Sequence, residues 1–397
     1  MNTCNSSGSD GNIYRFAEKL NLQERKIIDF STPSNPLGVS KKIKAELRTH
    51  LKYLHKYPDN EVKRLRKRLA QYYGIDPETI LCGNGSTELI YLISRVLRPE
   101  KVLMTAPTSP EYERAVLISQ RLSASVGIRN ETAVAKQSIK IDYITLKEKE
   151  GFEIKPAEFI TVMTRDGNSA PGTFATESLL ERHATSPRYD MAFLCNPNNL
   201  TGRLLGKGDV LKIADAAKEL GCCLVVDEAF IDFCPDESVI KDVVHNPCLI
   251  VLRSMSPFYA LSGLRLGYGV FPGRLIENLK EYKEPWTVNS LAQRAAVTAL
   301  KDSAYRRETF RSILDEKRFL EKNFRKLGME FFPSMTNFYL LKMAGAQEIC
   351  KKLYKEGILI MECSDSKGLG SSYLRITIRS HRENAVLIKE LTKILQG

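Results

Sequence analysis

Polar turn motifs follow several short apolar runs of the chain, at positions where parallel strands would end. The first is the glycine-rich motif GNGST at residues 83–87, which lies between the apolar run ILC and a helical pattern. Glycines let backbone N–H groups approach an anion, and the helix N-terminus adds a favourable dipole. A phosphate site and a simple capped turn both fit this motif, because serine and threonine are good N-caps.

Three further motifs continue the series. The turn NPNNLTG occupies residues 196–202, and Asp227 ends the apolar run at residues 222–226. A carboxylate at a buried strand end needs a protonated ring nitrogen or a salt-bridge partner, because leaving it unpaired is costly. Ser254, Ser256 and Arg265 together could clamp a phosphate. Each motif has a plain structural explanation, but their order and spacing together favour one ligand site.

The elements that must position these residues follow from the apolar pattern. Short apolar runs alternate with helical patterns, which predicts an α/β fold with a mainly parallel sheet between helices. The predicted strands are residues 101–105, 191–195, 222–226, 249–252 and 266–270. The predicted helices are residues 88–97, 207–220 and 305–327. The charged stretch at 129–190 is predicted to be irregular, with an excursion at 167–172. The last hundred residues change pattern and predict a smaller α+β lobe.

Composition narrows the class of protein. The 397 residues carry a net charge of +12, yet the basic side chains lie along helix faces without interleaved aromatics, which disfavours nucleic-acid binding. No apolar run approaches the roughly 18 residues of a membrane helix. The nine cysteines form no CxxC pair, so reduced thiols are expected rather than a metal site or disulfides. The expected location is the cytoplasm.

The strings GNGSTE, NPNNLTG, DEAF, RSMSPFY and GLRLGY resemble the fold-type I pyridoxal-phosphate enzymes of the class I/II aminotransferase superfamily, in order and in interval. The closest likeness is to the threonine-phosphate decarboxylases of cobalamin synthesis, which are relatives of the histidinol-phosphate aminotransferases. It is carried by GNIY at 11–14, DFS at 29–31, NPLG at 35–38, YPD at 57–59, DEAFIDF at 227–233, PWTVNSL at 285–291 and RITIRS at 375–380. The resemblance runs from about residue 11 to the end.

The resemblance implies a role for each matching residue. Asn199 would bind the phenolic oxygen of pyridoxal phosphate, and Asp227 would pair with its pyridine nitrogen. Arg375 would bind the substrate carboxylate by a two-pronged contact, with Asn35 and Asn199 also on the substrate side. The residues that would hold the cofactor phosphate or lie beside it are Gly85, Ser86, Thr87, Ser254, Ser256, Arg265 and, from the second subunit of a dimer, Tyr57.

The resemblance also implies a domain order. We expect a disordered lead at residues 1–11 and a segment at 12–45 that packs with the small lobe. A large cofactor-binding domain would occupy 46–285, and a small C-terminal domain would occupy 286–397.

The chain departs from the family pattern at the residue that matters most for catalysis. Pro257 stands where the family has the lysine that forms a Schiff base with the cofactor, and no lysine lies between Lys241 and Lys280. Proline has no amine, so any bound cofactor would be held non-covalently. Three substrate-side or stacking positions differ as well: Ser109 replaces a stacking ring, Pro33 an asparagine, and Met361 an arginine.

These departures leave three functional hypotheses. The chain could be a divergent threonine-phosphate decarboxylase-like protein with impaired Schiff-base catalysis, which is the hypothesis we favour. It could instead be an active decarboxylase or a histidinol-phosphate aminotransferase-like transaminase, or a ligand-binding or regulatory partner of an active homologue. The expected ligand is a small phosphorylated or amino-acid-like molecule. A homodimer is expected, and a heterodimer with an active homologue is the alternative.

Overall fold

The computed structural model describes residues 13–125, 139–164 and 188–396. The helices are α1 (Ile13–Leu20), α2 (Lys41–His50), α3 (Lys63–Tyr73), α4 (Gly85–Leu97), α5 (Pro110–Ser125), α6 (Pro156–Thr164), α7 (Lys207–Glu219), α8 (Ser256–Tyr259), α9 (Gly273–Tyr282), α10 (Ser290–Ala299), α11 (Ser303–Lys326), α12 (Ala346–Lys355) and α13 (His381–Gln396). The strands are β1 (Ile28–Asp29), β2 (Ile80–Gly83), β3 (Lys101–Ala106), β4 (Lys140–Thr145), β5 (Met191–Cys195), β6 (Cys223–Asp227), β7 (Leu249–Ser254), β8 (Gly267–Val270), β9 (Glu330–Phe331), β10 (Phe338–Lys342), β11 (Ile358–Leu359), β12 (Met361–Glu362) and β13 (Tyr373–Thr377). The predicted lead at 1–11 and the predicted excursion at 167–172 lie outside the described residues.

A seven-stranded sheet forms the centre of the large part of the chain, in the order β2-β8-β7-β6-β5-β3-β4. Neighbouring strands from β7 to β4 pair in parallel, whereas β8 runs antiparallel to both β7 and β2. Side chains alternate between the two faces of a strand, so Leu224 and Val226 enter one apolar core and Val225 enters another. Both faces are therefore covered, which explains why the central strands are continuous apolar runs.

The stretch from 129 to 190, predicted to be irregular, contains strand β4 and helix α6. That prediction was wrong for these two elements. Strand β4 is an edge strand that pairs only with β3, and most of its residues are half-buried or exposed. An edge strand of this kind carries a weak apolar signal, which is why its charged sequence concealed it.

A second, smaller sheet follows in the C-terminal part. It is antiparallel, with the order β12-β13-β10-β9, and helices α11, α12 and α13 contact one another or its strands. The N-terminal segment reaches this region, because β1 pairs in parallel with β11, with Ile28 opposite Ile358. The Thr377 amide also donates to the Phe30 carbonyl at 2.9 Å. The first described residues thus lie beside the last strands.

The direction of the strands decides where the polar motifs meet. Strands β2, β3, β5, β6 and β7 point the same way, so the loops after them emerge at one edge of the large sheet. Strand β8 runs in the opposite direction, and the residues that precede it therefore start from that same edge. Ligands of open α/β sheets bind at this edge, and every motif singled out in the large sheet lies there.

Candidate cofactor site

An anion cradle forms where helix α4 begins beside strand β8. Gly85 has φ +78°, and a Cβ at that position would lie 2.6 Å from the Nη2 of Arg265. A Cβ on Gly267 would lie 2.1 Å from the backbone nitrogen of Ser86, so only glycine fits at both positions. The close approach brings the guanidinium of Arg265 next to the first N–H groups of α4, whose helical partners are missing at a helix start. A phosphate fits this combination of dipole, donors and positive charge.

The two serines after β7 extend the same edge. Ser254 is buried at the end of the strand, and its hydroxyl accepts a hydrogen bond from the Ser256 amide at 3.2 Å. Ser86, Thr87 and Ser256 are half-buried, while Arg265 is exposed. Arg265 itself makes only a long 3.4 Å bond to the Ser262 carbonyl and forms no ion pair with a described carboxylate. Its charge is therefore available to an anionic ligand.

Asp227 is a buried carboxylate with no cationic partner among the described residues. Its side chain accepts a 2.6 Å hydrogen bond from the Tyr112 hydroxyl and a 3.0 Å bond from the Ala229 amide. Burial raises the pKa of Asp227 above its usual 3.8, and the bonds from Tyr112 and Ala229 oppose that rise. A protonated nitrogen placed beside Asp227 would remove the cost of this buried charge.

Tyr112 is a site residue that sequence reasoning missed. Its ring stacks on Phe193 of β5 at a centroid separation of 4.9 Å, which aims its hydroxyl at Asp227. Burial, followed by the nearby Asp227, raises the pKa of Tyr112 well above 10, so the hydroxyl stays a donor. The sequence signal for Tyr112 is its place in the string PTSPEY at residues 107–112, three residues after Ser109.

The turn at residues 196–202 divides its asparagines between two tasks. Asn196 exchanges hydrogen bonds with the backbone of Leu205, and Asn198 bonds the Pro107 carbonyl, so both asparagines hold the loop. Asn199 differs, because its buried Oδ1 has no hydrogen-bond partner among the described residues. An amide carries both an acceptor oxygen and a donor nitrogen, so this side chain can bond a ligand group of either kind.

Arg375 lies beside Asn199, as a shared substrate site requires. Its Nη1 donates to the Asn199 carbonyl at 2.8 Å and its Nη2 to the Ser31 carbonyl at 2.7 Å. Its Nε is buried without a partner among the described residues, and burial lowers the pKa of the guanidinium below its usual value. A buried guanidinium that bonds two carbonyls and keeps its Nε unused is suited to binding a carboxylate. Met361 lies directly opposite Arg375 in the small sheet, so the position where Met361 replaces the family's arginine is next to Arg375.

Pro257 occupies the first turn of the one-turn helix α8 and is buried. Its carbonyl accepts a 2.9 Å bond from the Asn35 amide. The Asn35 side chain in turn donates to the Phe258 carbonyl at 2.7 Å and to the Thr309 hydroxyl at 2.8 Å, while its Oδ1 accepts from the Leu37 amide. These bonds give Asn35 a structural role in holding α8, because its amide hydrogens are already engaged. Its contact with substrate stays a prediction that requires one of them to break.

The structure does not bring Tyr57 to the other predicted residues within one chain. Tyr57 is 84% exposed, and its ring lies 5.4 Å from the half-exposed Trp286. The exposed aromatic pair is suited to a protein contact. Ser109 and Pro33 are half-buried, and Ser109 accepts a 3.3 Å bond from the Glu111 amide. No ring occupies the position of Ser109, so the stacking contact expected of the family has no counterpart there.

A buried ionic cluster centred on Arg253 lies next to the site. Arg253, at 1% exposure, donates to Glu228 at 2.8 Å and to Asp232 at 2.7 Å, and also to the Tyr73 hydroxyl at 2.9 Å. Because two carboxylates already share the single charge of Arg253, Arg253 cannot also neutralise Asp227. Asp227 and Glu228 are consecutive, yet they serve different sides of the strand end.

The residues present fit pyridoxal phosphate except at two positions, the covalent bond at Pro257 and the stacking ring at Ser109. The cradle of Gly85, Ser86 and Arg265 fits the phosphate, the unmatched Asp227 fits a protonated ring nitrogen, and the Asn199 amide fits a ring oxygen. Pro257 supplies no amine. Within the described part of the chain, no group of three His, Cys, Asp or Glu side chains could hold a metal ion.

The chain belongs to the aminotransferase class I and II family, whose model matches residues 25–391. Members of this family use pyridoxal phosphate. The chain is similar to the threonine-phosphate decarboxylase of Salmonella typhimurium, with 32% identity over 396 residues, covering 99% of this chain and 98% of that protein. The predicted membership of the pyridoxal-phosphate superfamily, with likeness to the threonine-phosphate decarboxylases, is confirmed.

Solved structures agree with this assignment. The histidinol-phosphate aminotransferase of Clostridium acetobutylicum superposes with a TM-score of 0.76 at 26% identity, covering 92% of this chain and 98% of that one. The histidinol-phosphate aminotransferase of Sinorhizobium meliloti in complex with pyridoxal-5'-phosphate has a TM-score of 0.76 at 18% identity, with 99% of both chains covered, and shows the fold alone. The predicted α/β aminotransferase fold is confirmed. Among the described residues, no helix is both long enough and apolar enough to span a membrane.

Proposed function

We propose that this chain is a divergent threonine-phosphate decarboxylase-like protein that binds pyridoxal phosphate without a covalent bond and is impaired in lysine-dependent catalysis. One observation carries the proposal. Asp227 is buried with no cation among the described residues, in a site where Pro257 provides no amine. The non-covalent anchors of the cofactor are thus kept while the covalent one is lost.

Each non-covalent anchor would contact a different part of the cofactor or the substrate. The α4 N-terminus and Arg265 would hold the cofactor phosphate, and Asp227 would keep the ring nitrogen protonated. Asn199 would orient the ring through an amide contact, and the Nε of Arg375 would bind a substrate carboxylate. When bound, the protonated ring supplies an electron sink for chemistry at the carbon next to the substrate amine. Residues 46–285 would hold the cofactor, with 286–397 and the segment 12–45 on the substrate side.

Loss of the lysine has a defined cost. In the family that side chain both holds the cofactor and moves protons, and no described group near Pro257 combines these tasks. Losing a covalent catalyst of this kind costs several powers of ten in rate, each worth about 1.4 kcal/mol of barrier. Ser254 and Ser256 remain beside Pro257, but a hydroxyl cannot form a Schiff base with the cofactor aldehyde.

A specific lysine supports the alternative of an active enzyme. Lys317 of α11 donates to the Ser334 carbonyl, and burial lowers the pKa of its amine to about 8. Ser334 packs on Gly202 at the end of the asparagine turn, where a Cβ would lie 2.1 Å from its hydroxyl. A less basic amine near that turn is more nucleophilic at neutral pH than an ordinary lysine. The active decarboxylase or transaminase hypotheses would need such a substitute.

The exposed Tyr57–Trp286 pair supports a dimer. Tyr57 would reach the cofactor phosphate of the second subunit, and either a homodimer or a heterodimer with an active homologue would satisfy this. The regulatory-partner hypothesis depends on the heterodimer. We also propose a cytoplasmic location, because the eight described cysteines are all free thiols.

The test is to add pyridoxal phosphate to the purified chain, record its absorbance and melting temperature, and then reduce it with borohydride. We expect thermal stabilisation with no covalently fixed cofactor. Arg265→Gln should reduce the stabilisation, and Arg274→Gln, another exposed arginine, is the matched control. A fixed adduct located by peptide mass spectrometry would overturn the impaired hypothesis, and an adduct on Lys317 would identify the substitute amine. No stabilisation of the parent chain would mean that it does not bind the cofactor.

A further inference from the structure

A cavity of about 240 Å³ lies against the one-turn helix α8, and none of the predicted cofactor or substrate residues lines it. Its walls come from α8, from the first turns of α11, from Tyr72 of α3 and from Asp232 and Pro235 in the segment after β6. Phe258 and Tyr259 of α8 face it, but Pro257 does not. The cavity is therefore separate from the candidate cofactor site, although both use the same short helix.

The cavity carries a net positive charge. Arg306 and Arg307 line it from the start of the 24-residue helix α11, whose N-terminal dipole adds to their charge. Arg306 donates to the Tyr72 hydroxyl and lies 5.1 Å from that ring, whereas Arg307 is exposed and pairs with no described carboxylate. The acidic group in the wall, Asp232, pairs with Arg253 at 2.7 Å, and the two lining arginines outnumber it. An oxyanion is the ligand that this balance favours.

The hydroxyl of a buried tyrosine in the wall supplies a second, independent indication of a ligand. Tyr259 lines the cavity at 1% exposure, and its hydroxyl has no hydrogen bond to any other described residue. Its ring is fixed by near-parallel stacking on Tyr305, with 6.4 Å between centroids and an 18° interplanar angle. A hydroxyl of a cavity-lining tyrosine that bonds no described residue can bond a ligand oxygen.

The remaining wall is aromatic. Phe258 and Phe310 have ring centroids 5.5 Å apart, and Phe310 is 40% exposed at the mouth of the cavity. The volume is below the roughly 300–1,000 Å³ of drug-sized ligand pockets, so a single ring with one charged group is the right size. We propose that this cavity binds a small molecule in which an oxyanion, as in a phosphate monoester, is attached to a flat apolar ring.

The oxyanion would lie between Arg307 and the Tyr259 hydroxyl, with the ring against Phe258 and Phe310. This assignment does not depend on the proposed function, because none of these side chains belongs to the cofactor site. An occupant would contact Phe258, whose carbonyl is held by Asn35. The ligand would thus bind to the same helix that carries Pro257.

Titration calorimetry of the full-length chain with phenyl phosphate tests the proposal. We expect binding that Arg307→Gln weakens at least about tenfold, and Tyr259→Phe severalfold, whereas phenol binds far more weakly. Arg311→Gln is the matched control, because Arg311 lies one turn further along α11, is exposed and pairs with Glu308. It should bind phenyl phosphate like the parent chain.

Phenyl phosphate could also enter the cofactor-phosphate cradle, and Arg265→Gln separates the two sites. The proposal expects this variant to retain the phenyl phosphate affinity of the parent chain. Loss of binding in Arg265→Gln, or unchanged binding in Arg307→Gln, would overturn it. Failure of the chain to bind pyridoxal phosphate would contradict the proposed function and leave the phenyl phosphate result intact.

Discussion

Replacing Asp227 by asparagine separates the two roles that the structure gives this carboxylate. Without a ligand, burial raises its pKa above 3.8, so ionisation of Asp227 opposes folding. With a protonated ring nitrogen beside it, the same charge becomes an attraction. Asp227→Asn should therefore have opposite effects on the free chain, where it removes a cost, and on the cofactor complex, where it removes an anchor.

The magnitude for the complex follows from the kind of bond lost. A hydrogen bond between charged groups contributes about 1.5–3 kcal/mol, so its loss would weaken cofactor binding by up to about 100-fold. At a cofactor concentration of about 100 times the parent Kd, the parent gains about 2.7 kcal/mol of stability, and a variant with a 100-fold weaker Kd gains about 0.4 kcal/mol. For a chain of 397 residues this corresponds in a thermal melt to a shift of about 3 °C for the parent and about 0.5 °C for the variant.

The free chain supplies the second half of the prediction. Because the folded pKa of Asp227 is raised, its contribution to stability is fully present below about 3.8 and is lost as the pH rises through the folded value. The melting temperature of Asp227→Asn, relative to the parent, should therefore improve as the pH rises from about 4 towards neutrality. Differential scanning fluorimetry across pH, with and without pyridoxal phosphate, measures both effects.

The structure offers a close control for this experiment. Asp142 on β4 also accepts a hydrogen bond from a tyrosine, Tyr189, at 2.7 Å. Asp142→Asn should leave the cofactor-induced shift unchanged. An undiminished shift in Asp227→Asn would refute the assignment of Asp227 to the ring nitrogen.

Three further predictions follow from positions around the site. Pro257→Lys should allow borohydride to fix pyridoxal phosphate at residue 257, detected as a mass increase, because the first turn of α8 needs no backbone donor there; an unmodified variant that still binds the cofactor would contradict this. Arg375→Lys should lower the free energy of unfolding in urea by about 1–3 kcal/mol, since lysine cannot reach both carbonyls that Arg375 bonds. Gly267→Ala should weaken cofactor binding in calorimetry, because its Cβ would displace the Ser86 amide, whereas Gly263→Ala, with nothing within 4 Å, should not.

Much of the fold could be predicted because its strong signals are local. The strand at 191–195 was predicted to the residue, and the strand at 101–105 falls short of its observed end by one residue, Ala106. Buried parallel strands are continuous apolar runs that end at polar turns, which makes them easy to recognise. Strand β4 lacks this signal because it lies at the sheet edge, and helix α6 follows within the same charged stretch.

The residues of the candidate site could be predicted from sequence only where they belong to short motifs. Asp227, Asn199 and Arg375 could be proposed because each belongs to a short motif. The partners of Asn35 could not, because Phe258 and Thr309 lie 223 and 274 residues further along the chain. Likewise, the bond from Tyr112 to Asp227 spans 115 residues and depends on the packing of β5 against α5. Contacts of this kind are decided by tertiary packing, which no local pattern encodes.

The hydrogen bonds that hold α8 bear on how the lysine could be lost. Asn35 supports this helix through backbone carbonyls, so the helix is held whatever side chain stands at 257. A buried lysine amine without a cofactor would cost stability, and an apolar proline removes that cost while its ring restricts the unfolded chain. Selection for stability alone would therefore not have opposed the replacement.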